Sequence, residues 1–260
     1  MIDMDSQNQP RPLAPLLRQQ HEGFDMDLLR PEPGLVYHLT GPGRAGKSMR
    51  PVAEHWVAEA LVHGETVHWV DGACRIDPAR LLPTLASLGA DTEACLSRLY
   101  LSRGFTLHQL DRQLERLPNE LEITRSPLLV VDGLLAMHED EAIKRLESRT
   151  LLRRHVALLS RIAQDHRAAV VVITEAHGRS VHQRRLLQQI HRQAHHHLVG
   201  HWRGTRRKRT LYLNHPRSGL RGLWNANHDP RQMRFTLTPR EFEGRSVPAS
   251  ARTHALQNEG

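Results

Sequence analysis

Cysteine is nearly missing from this chain of 260 residues. Cys74 and Cys95 are the only two, and their spacing suits neither a disulfide framework nor a thiolate metal site, which points to a reducing intracellular compartment. Aromatic residues make up only 4% of the chain, so platforms for stacking nucleic-acid bases are scarce. No apolar run approaches the ~20 residues that a membrane span requires. Met1 to Gln9 is polar and lacks the basic-then-apolar order of a secretory leader. Lysine is rare too: Lys47, Lys144 and Lys208 are the only ones, so nearly all positive charge is arginine. Acid is scarce in the last third. From Gly178 onward sixteen Lys and Arg face four Asp and Glu, although the whole chain is only +8. A basic third on a slightly acidic body suggests a polyanion partner, and arginine grips phosphate bidentately. The plainer alternative is a solvated surface in an arginine-biased proteome.

What is present is an alternation of short apolar runs with amphipathic stretches. Strands are expected at 34–40, 66–71, 98–102, 127–132 and 168–174, and helices at 47–63, 78–88, 107–117 and 148–166. Pro51 falls early in the first helix, where it should remove one backbone bond near Lys47. The strands are continuous apolar runs, the mark of a parallel sheet covered on both faces. After Gly178 the pattern changes. Residues 180–192 read as a basic helix or mobile loop, and 209–214 and 233–238 as strands of an antiparallel edge. One α/β core over 31–240 is expected, with tails at 1–30 and 241–260.

Gly41-Pro42-Gly43-Arg44-Ala45-Gly46-Lys47-Ser48 matches G-x-x-x-x-G-K-[ST] in full. The glycines let backbone N–H groups cradle phosphates, and the helix that follows turns its N-terminal dipole toward the anion. Lys47 is expected on the β- and γ-phosphates of ATP, and Ser48 on Mg²⁺. One of only three lysines occupies the required slot, between an expected strand and helix. Asp132 ends the apolar run Leu128-Leu129-Val130-Val131, the Walker-B arrangement in which an acid at a strand tip orients Mg²⁺.

In order and spacing these features resemble the RecA/RadA-type recombinases and their paralogues, over about Gly23 to Phe242. Gly23-Phe24, Leu28-Leu29 and Gly34 resemble the lead-in to the core, Val67 to Asp71 with Pro78 and Arg80-Leu81 the second strand and its helix, and Leu99 to Phe105 the third strand. Arg209 to Leu213 and Met233 to Phe235 resemble the closing strands. The resemblance implies a RecA-like P-loop core: a mostly parallel central sheet, helices on both faces and a C-terminal antiparallel edge. It also implies DNA-binding loops at 138–147 and 178–195. The departures shape the expectation of activity. The slot of the family's activating carboxylate holds Ala73, which cannot polarise water. Thr174-Glu175-Ala176-His177 stand where the family has an Asn and Gln that sense the γ-phosphate. Glu175 is the one carboxylate that could take over as catalytic base. Only about thirty residues precede the core, so the family's N-terminal helical domain is expected to be missing.

Arg179, Arg184, Arg185, Arg192, Arg206, Arg207, Lys208 and Arg209 are the expected DNA-binding residues. With so little stacking they would grip the backbone of single-stranded DNA without reading sequence. His191 and His195, and His197 and His201, are spaced i, i+4 as a helix-borne metal pair would be, with no carboxylate or cysteine to complete a site. Loop histidines supplementing the basic surface are the favoured reading. The sequence therefore suggests an ATP- and Mg²⁺-binding recombinase paralogue that assists homologous recombination or DNA repair. It would bind DNA and a recombinase or paralogue protein, hydrolyse ATP weakly, and reside in the cytoplasm at the nucleoid, or in the nucleus of a eukaryote. A RecA-fold motor such as a replicative helicase, or a regulatory ATPase that does not bind DNA, are the alternatives.

Overall fold

In the computed structural model the described residues are 24–25, 30–140, 142–205, 208–224 and 234–235. Arg206, Arg207 and the expected tail at 241–260 lie outside them. An eight-stranded sheet forms the centre, in the order β4-β3-β5-β6-β2-β7-β8-β9. Its strands are β2 (Val36–Gly41), β3 (Val67–Asp71), β4 (Leu99–Arg103), β5 (Leu128–Asp132), β6 (Ala169–Glu175), β7 (His196–Thr205), β8 (Lys208–His215) and β9 (Leu220–Trp224). From β4 to β7 the neighbours are parallel; β8 and β9 close the edge antiparallel. A separate pairing joins β1 (Phe24–Asp25) to β10 (Arg234–Phe235), tying a segment ahead of the core to one near its end. The strand expected at 233–238 is seen only as β10, outside the main sheet.

Side chains of the buried strands alternate between two cores. Leu128, Val130, Val171 and Ile173 face α1 (Arg50–Val62), α2 (Leu82–Ser87) and α3 (Thr92–Leu96). Leu129, Val131, Val170 and Val172 face α4 (Leu107–Thr124), α5 (Arg145–Asp165) and α6 (Val181–Gln193). Apolar residues on both faces are what a doubly covered parallel sheet needs. Helix starts carry side-chain caps at Asp91, Thr106 and Ser180.

Several expectations change. Pro51 costs no bond near Lys47: a 3-10 turn spans Arg44–Met49 and α1 begins only at Arg50, so Pro51 occupies the first turn, where N–H groups have no partner anyway. Helix α4 continues past Leu117 through Pro118 to Thr124, because Leu114, Leu117 and Leu121 keep the helical stripe buried. Residues 180–192 fold as helix α6, so most of the second expected DNA-binding loop is ordered helix. Strand β7 was not expected. It turns the histidine-rich stretch into the neighbour of β2, so His197 and His201 lie on a strand and His191 on a helix rather than on one helix.

Candidate functional site

The C-terminal ends of β2, β5 and β6 meet at one edge of the sheet. β6 lies between the strand that leads into the glycine-rich loop and the strand that ends in Asp132, pairing with both. The loop turns tightly onto β6. A Cβ on Gly46 would fall 2.2 Å from the Thr174 carbonyl oxygen, and its φ of +72° also favours glycine. Lys47 is exposed. Ser48 is buried, and its Oγ has no hydrogen-bond partner among the described residues.

Asp132 is fully buried. Its Oδ2 accepts from Nε and Nη2 of Arg50 at 2.9 and 2.6 Å, while Arg75 Nη2 forms an ion pair with Oδ1 at 3.5 Å. Burial holds the Asp132 carboxyl above the usual carboxylate range, against the pull of these two guanidiniums. Its Oδ1 accepts no hydrogen bond among the described residues and has only the Arg75 guanidinium at 3.5 Å. A hydroxyl oxygen and a carboxylate oxygen are the hard donors that Mg²⁺ takes, so Ser48 and Asp132 fit the ion in donor type, and Arg75 would have to yield Oδ1 to it. Asp71 ends the adjacent strand in register with Asp132. It shapes the following turn, accepting from the backbone N–H of Arg75 and Ile76 at 2.6 and 2.8 Å.

Glu175 ends β6 and reaches the loop. Its Oε1 accepts from the Ala45 backbone N–H at 2.8 Å, its Oε2 from Gln183 Nε2 at 2.9 Å, and Arg179 pairs with it at 3.7 Å. The carboxylate thus sits on a backbone donor of the loop, the kind of group that an anionic phosphate seeks. Gln183 also donates to Glu139, and burial, with the Glu175 charge beside it, raises the Glu139 carboxyl. A cavity of 380 Å³ opens here, between Arg44, Ala45, Gly133, Thr174, Glu175 and Gln183. Ala73 belongs to the same neighbourhood: a Cβ on Gly133 would lie 2.6 Å from that of Ala73 and 3.2 Å from that of Ala45.

The expected cationic residues divide between two elements. Arg184, Arg185 and Arg192 are exposed on α6. That helix leaves the C-terminal edge of the sheet and returns to the start of β7, so Arg192, about 12 Å further along the axis than Arg184, lies at the opposite end. Arg209 is exposed on β8. β7 pairs with β2 only through Val199 and runs on to Thr205 paired with β8 alone, as a ribbon projecting past the C-terminal edge. Lys208 pairs with Thr205 in this ribbon, and Arg206 and Arg207 stand between them in sequence. Exposed Arg203, stacked 3.6 Å over the Tyr212 ring, and Trp202 add to it.

Sequence reasoning missed Arg50, Gln183 and Glu139. Gln183 had a local signal, the capping pattern Ser180-x-x-Gln183. Arg50 had none, because its partner is 82 residues away.

No curated protein matches the chain. The Rad51 family model matches residues 57–210, starting inside α1 and past the glycine-rich loop, so the loop's assignment stands on its own motif and geometry. With more than half its length matched, the chain belongs to the Rad51 family of RecA-like recombinases, nucleotide-binding proteins of DNA recombination and repair.

Proposed function

We propose that the chain acts as a recombinase paralogue in which ATP serves as a conformational switch, with little or no hydrolysis. The observation that carries this reading is the state of the two candidate base positions. Ala73, packed beside Gly133 and Ala45, offers no proton acceptor. Glu175, the relocated candidate, has one oxygen on the Ala45 N–H and the other on Gln183. A general base must come within ~3 Å of its water, directly or through one more water. A carboxylate engaged at both oxygens is poorly placed for that and well placed to report whether phosphate occupies the loop. Ser48 and Asp132 would hold Mg²⁺, which neutralises phosphate charge when bound. Lys47 would supply the mobile cation, and Arg50 keeps Asp132 oriented. DNA would lie along the start of α6 and the β7–β8 ribbon, held by its backbone, with a recombinase or another paralogue as protein partner.

The test is ATP binding by calorimetry beside turnover with and without single-stranded DNA. Wild type should bind ATP and turn it over near background, and Lys47→Ala should lose binding. Ala73→Glu should raise the rate, while Glu175→Gln leaves it unchanged. A ~100-fold loss in Glu175→Gln would instead establish a relocated base. Fast wild-type hydrolysis indifferent to Glu175 would sink both versions.

A further inference from the structure

Three histidines from three elements meet on the sheet face covered by α5 and α6. His38 lies within β2, and His197 is its register partner on β7, so both side chains leave the same face. His191 arrives from the last turn of α6. One ring nitrogen of each lies within 4.8 Å of those of the other two. His38 is buried, His197 partly buried and His191 exposed. Nδ1 of His38 and Nδ1 of His197 are both buried without a hydrogen-bond partner among the described residues. A native interior rarely leaves such atoms unsatisfied, and two side by side call for an explanation.

The outer contact of His38 supplies a direction. Its Nε2 lies 2.7 Å from Thr174 Oγ1, and that hydroxyl donates its own hydrogen to the Glu175 carbonyl oxygen at 3.2 Å. With its hydrogen on that carbonyl the hydroxyl accepts from His38, the tautomer in which Nε2 carries the proton and Nδ1 presents a lone pair to the cluster. A metal-bound histidine is held in this way, with the far N–H given to an oxygen that fixes the ring.

We propose that His38, His191 and His197 form a binding site for a divalent first-row transition-metal ion, Zn²⁺ foremost, with a fourth position open on the exposed His191 side. Three imidazoles without a carboxylate select Zn²⁺, Cu²⁺ or Ni²⁺ over Mg²⁺ and Ca²⁺. Zinc–nitrogen bonds of ~2.0–2.1 Å require the three nitrogens to draw closer than they stand, and exposed His191 is the ligand free to swing. The two less exposed rings, His38 and His197, are kept neutral, as ligands must be. Burial first, then the neighbouring histidines, brings His38 down to about 3; burial first, then His191, brings His197 down to about 4. The His191 and His197 rings stack with their centroids 3.6 Å apart. The site stands one hydrogen bond from Thr174, whose carbonyl oxygen abuts Gly46, so an ion bound there would stiffen the wall of the nucleotide cavity.

The experiment uses the full chain, freed of any affinity tag and stripped of metal with a chelator, titrated with ZnCl₂ by calorimetry and with Co²⁺ by visible absorption. Expected are one Zn²⁺ per chain and the visible bands of a low-symmetry Co²⁺ site. Thr174→Val, which removes the outer contact, should weaken Zn²⁺ roughly 10–100-fold. His191→Ala, an exposed change that leaves the core intact, and His197→Ala should weaken it further. His201→Ala, on the exposed ribbon, should change nothing. Absence of saturable Zn²⁺ binding in the wild type overturns the proposal, as does binding indifferent to His191→Ala.

Discussion

At the scale of single residues, the site is governed by which charges are buried and what meets them. Arg50 and Asp132 are both nearly inaccessible, and the pair is bidentate to one oxygen. Two buried charges gain little over an apolar pair, but removing one partner strands the other. Arg50→Ala should therefore cost about 3–5 kcal/mol of stability, read from urea unfolding, far more than loss of a surface arginine. A loss below ~1 kcal/mol would mean that water reaches Asp132 once the guanidinium is gone. Arg50 takes both its hydrogen bonds on Oδ2 and leaves Oδ1 to the looser ion pair with Arg75 at 3.5 Å, the contact that a cation would have to displace.

Among the elements, β7 matters most. It extends the parallel sheet beyond the glycine-loop strand and then leaves it as a ribbon past the C-terminal edge. A bound polyanion lying there would cross the start of α6 but not its end. Arg203→Ala with Arg209→Ala, and separately Arg184→Ala with Arg185→Ala, should each weaken single-stranded DNA about equally for all sequences. Each should also flatten the salt dependence by about two units, one per phosphate contact. Arg192→Ala, at the far end of α6, should leave affinity and slope unchanged. If Arg192 matters as much as the ribbon pair, the DNA runs along the helix and not across the edge.

For the whole molecule, buried histidines tie stability to pH. His38 and His138 are each brought down to about 3, in both cases chiefly by burial. Unfolded, they titrate near 6.5. Between those values the unfolded chain binds more protons, so stability rises with pH, is complete above about 6.5, and is lost as pH falls toward 3. Each histidine contributes about 1.4 kcal/mol per pH unit inside that window. With chelator present, urea unfolding at pH 5 should show roughly 4 kcal/mol less stability than at pH 7, before most carboxylates titrate. Equal stability at the two pH values would show that the rings take up protons within the fold.

The sequence by itself determined the glycine-rich loop, the acid at the tip of β5, five of the six strands of the parallel core and the basic balance of the last third. These are local patterns: a fixed spacing, an apolar run, a composition. The place of β6 between the loop strand and the Asp132 strand is not written in any one segment. Tertiary structure decided the rest. Imidazole is neither clearly apolar nor clearly polar, so His196 to Thr205 gave no strand signal until β2 and β8 offered backbone partners on both sides. Pro118 stays inside α4 because the leucine stripe on either side is buried, a gain that exceeds the lost bond. Arg50 meets Asp132, Glu175 meets Ala45, and His38 meets His197 across 82, 130 and 159 residues of chain. Contacts of that range follow from the closing of the sheet, which no local pattern encodes.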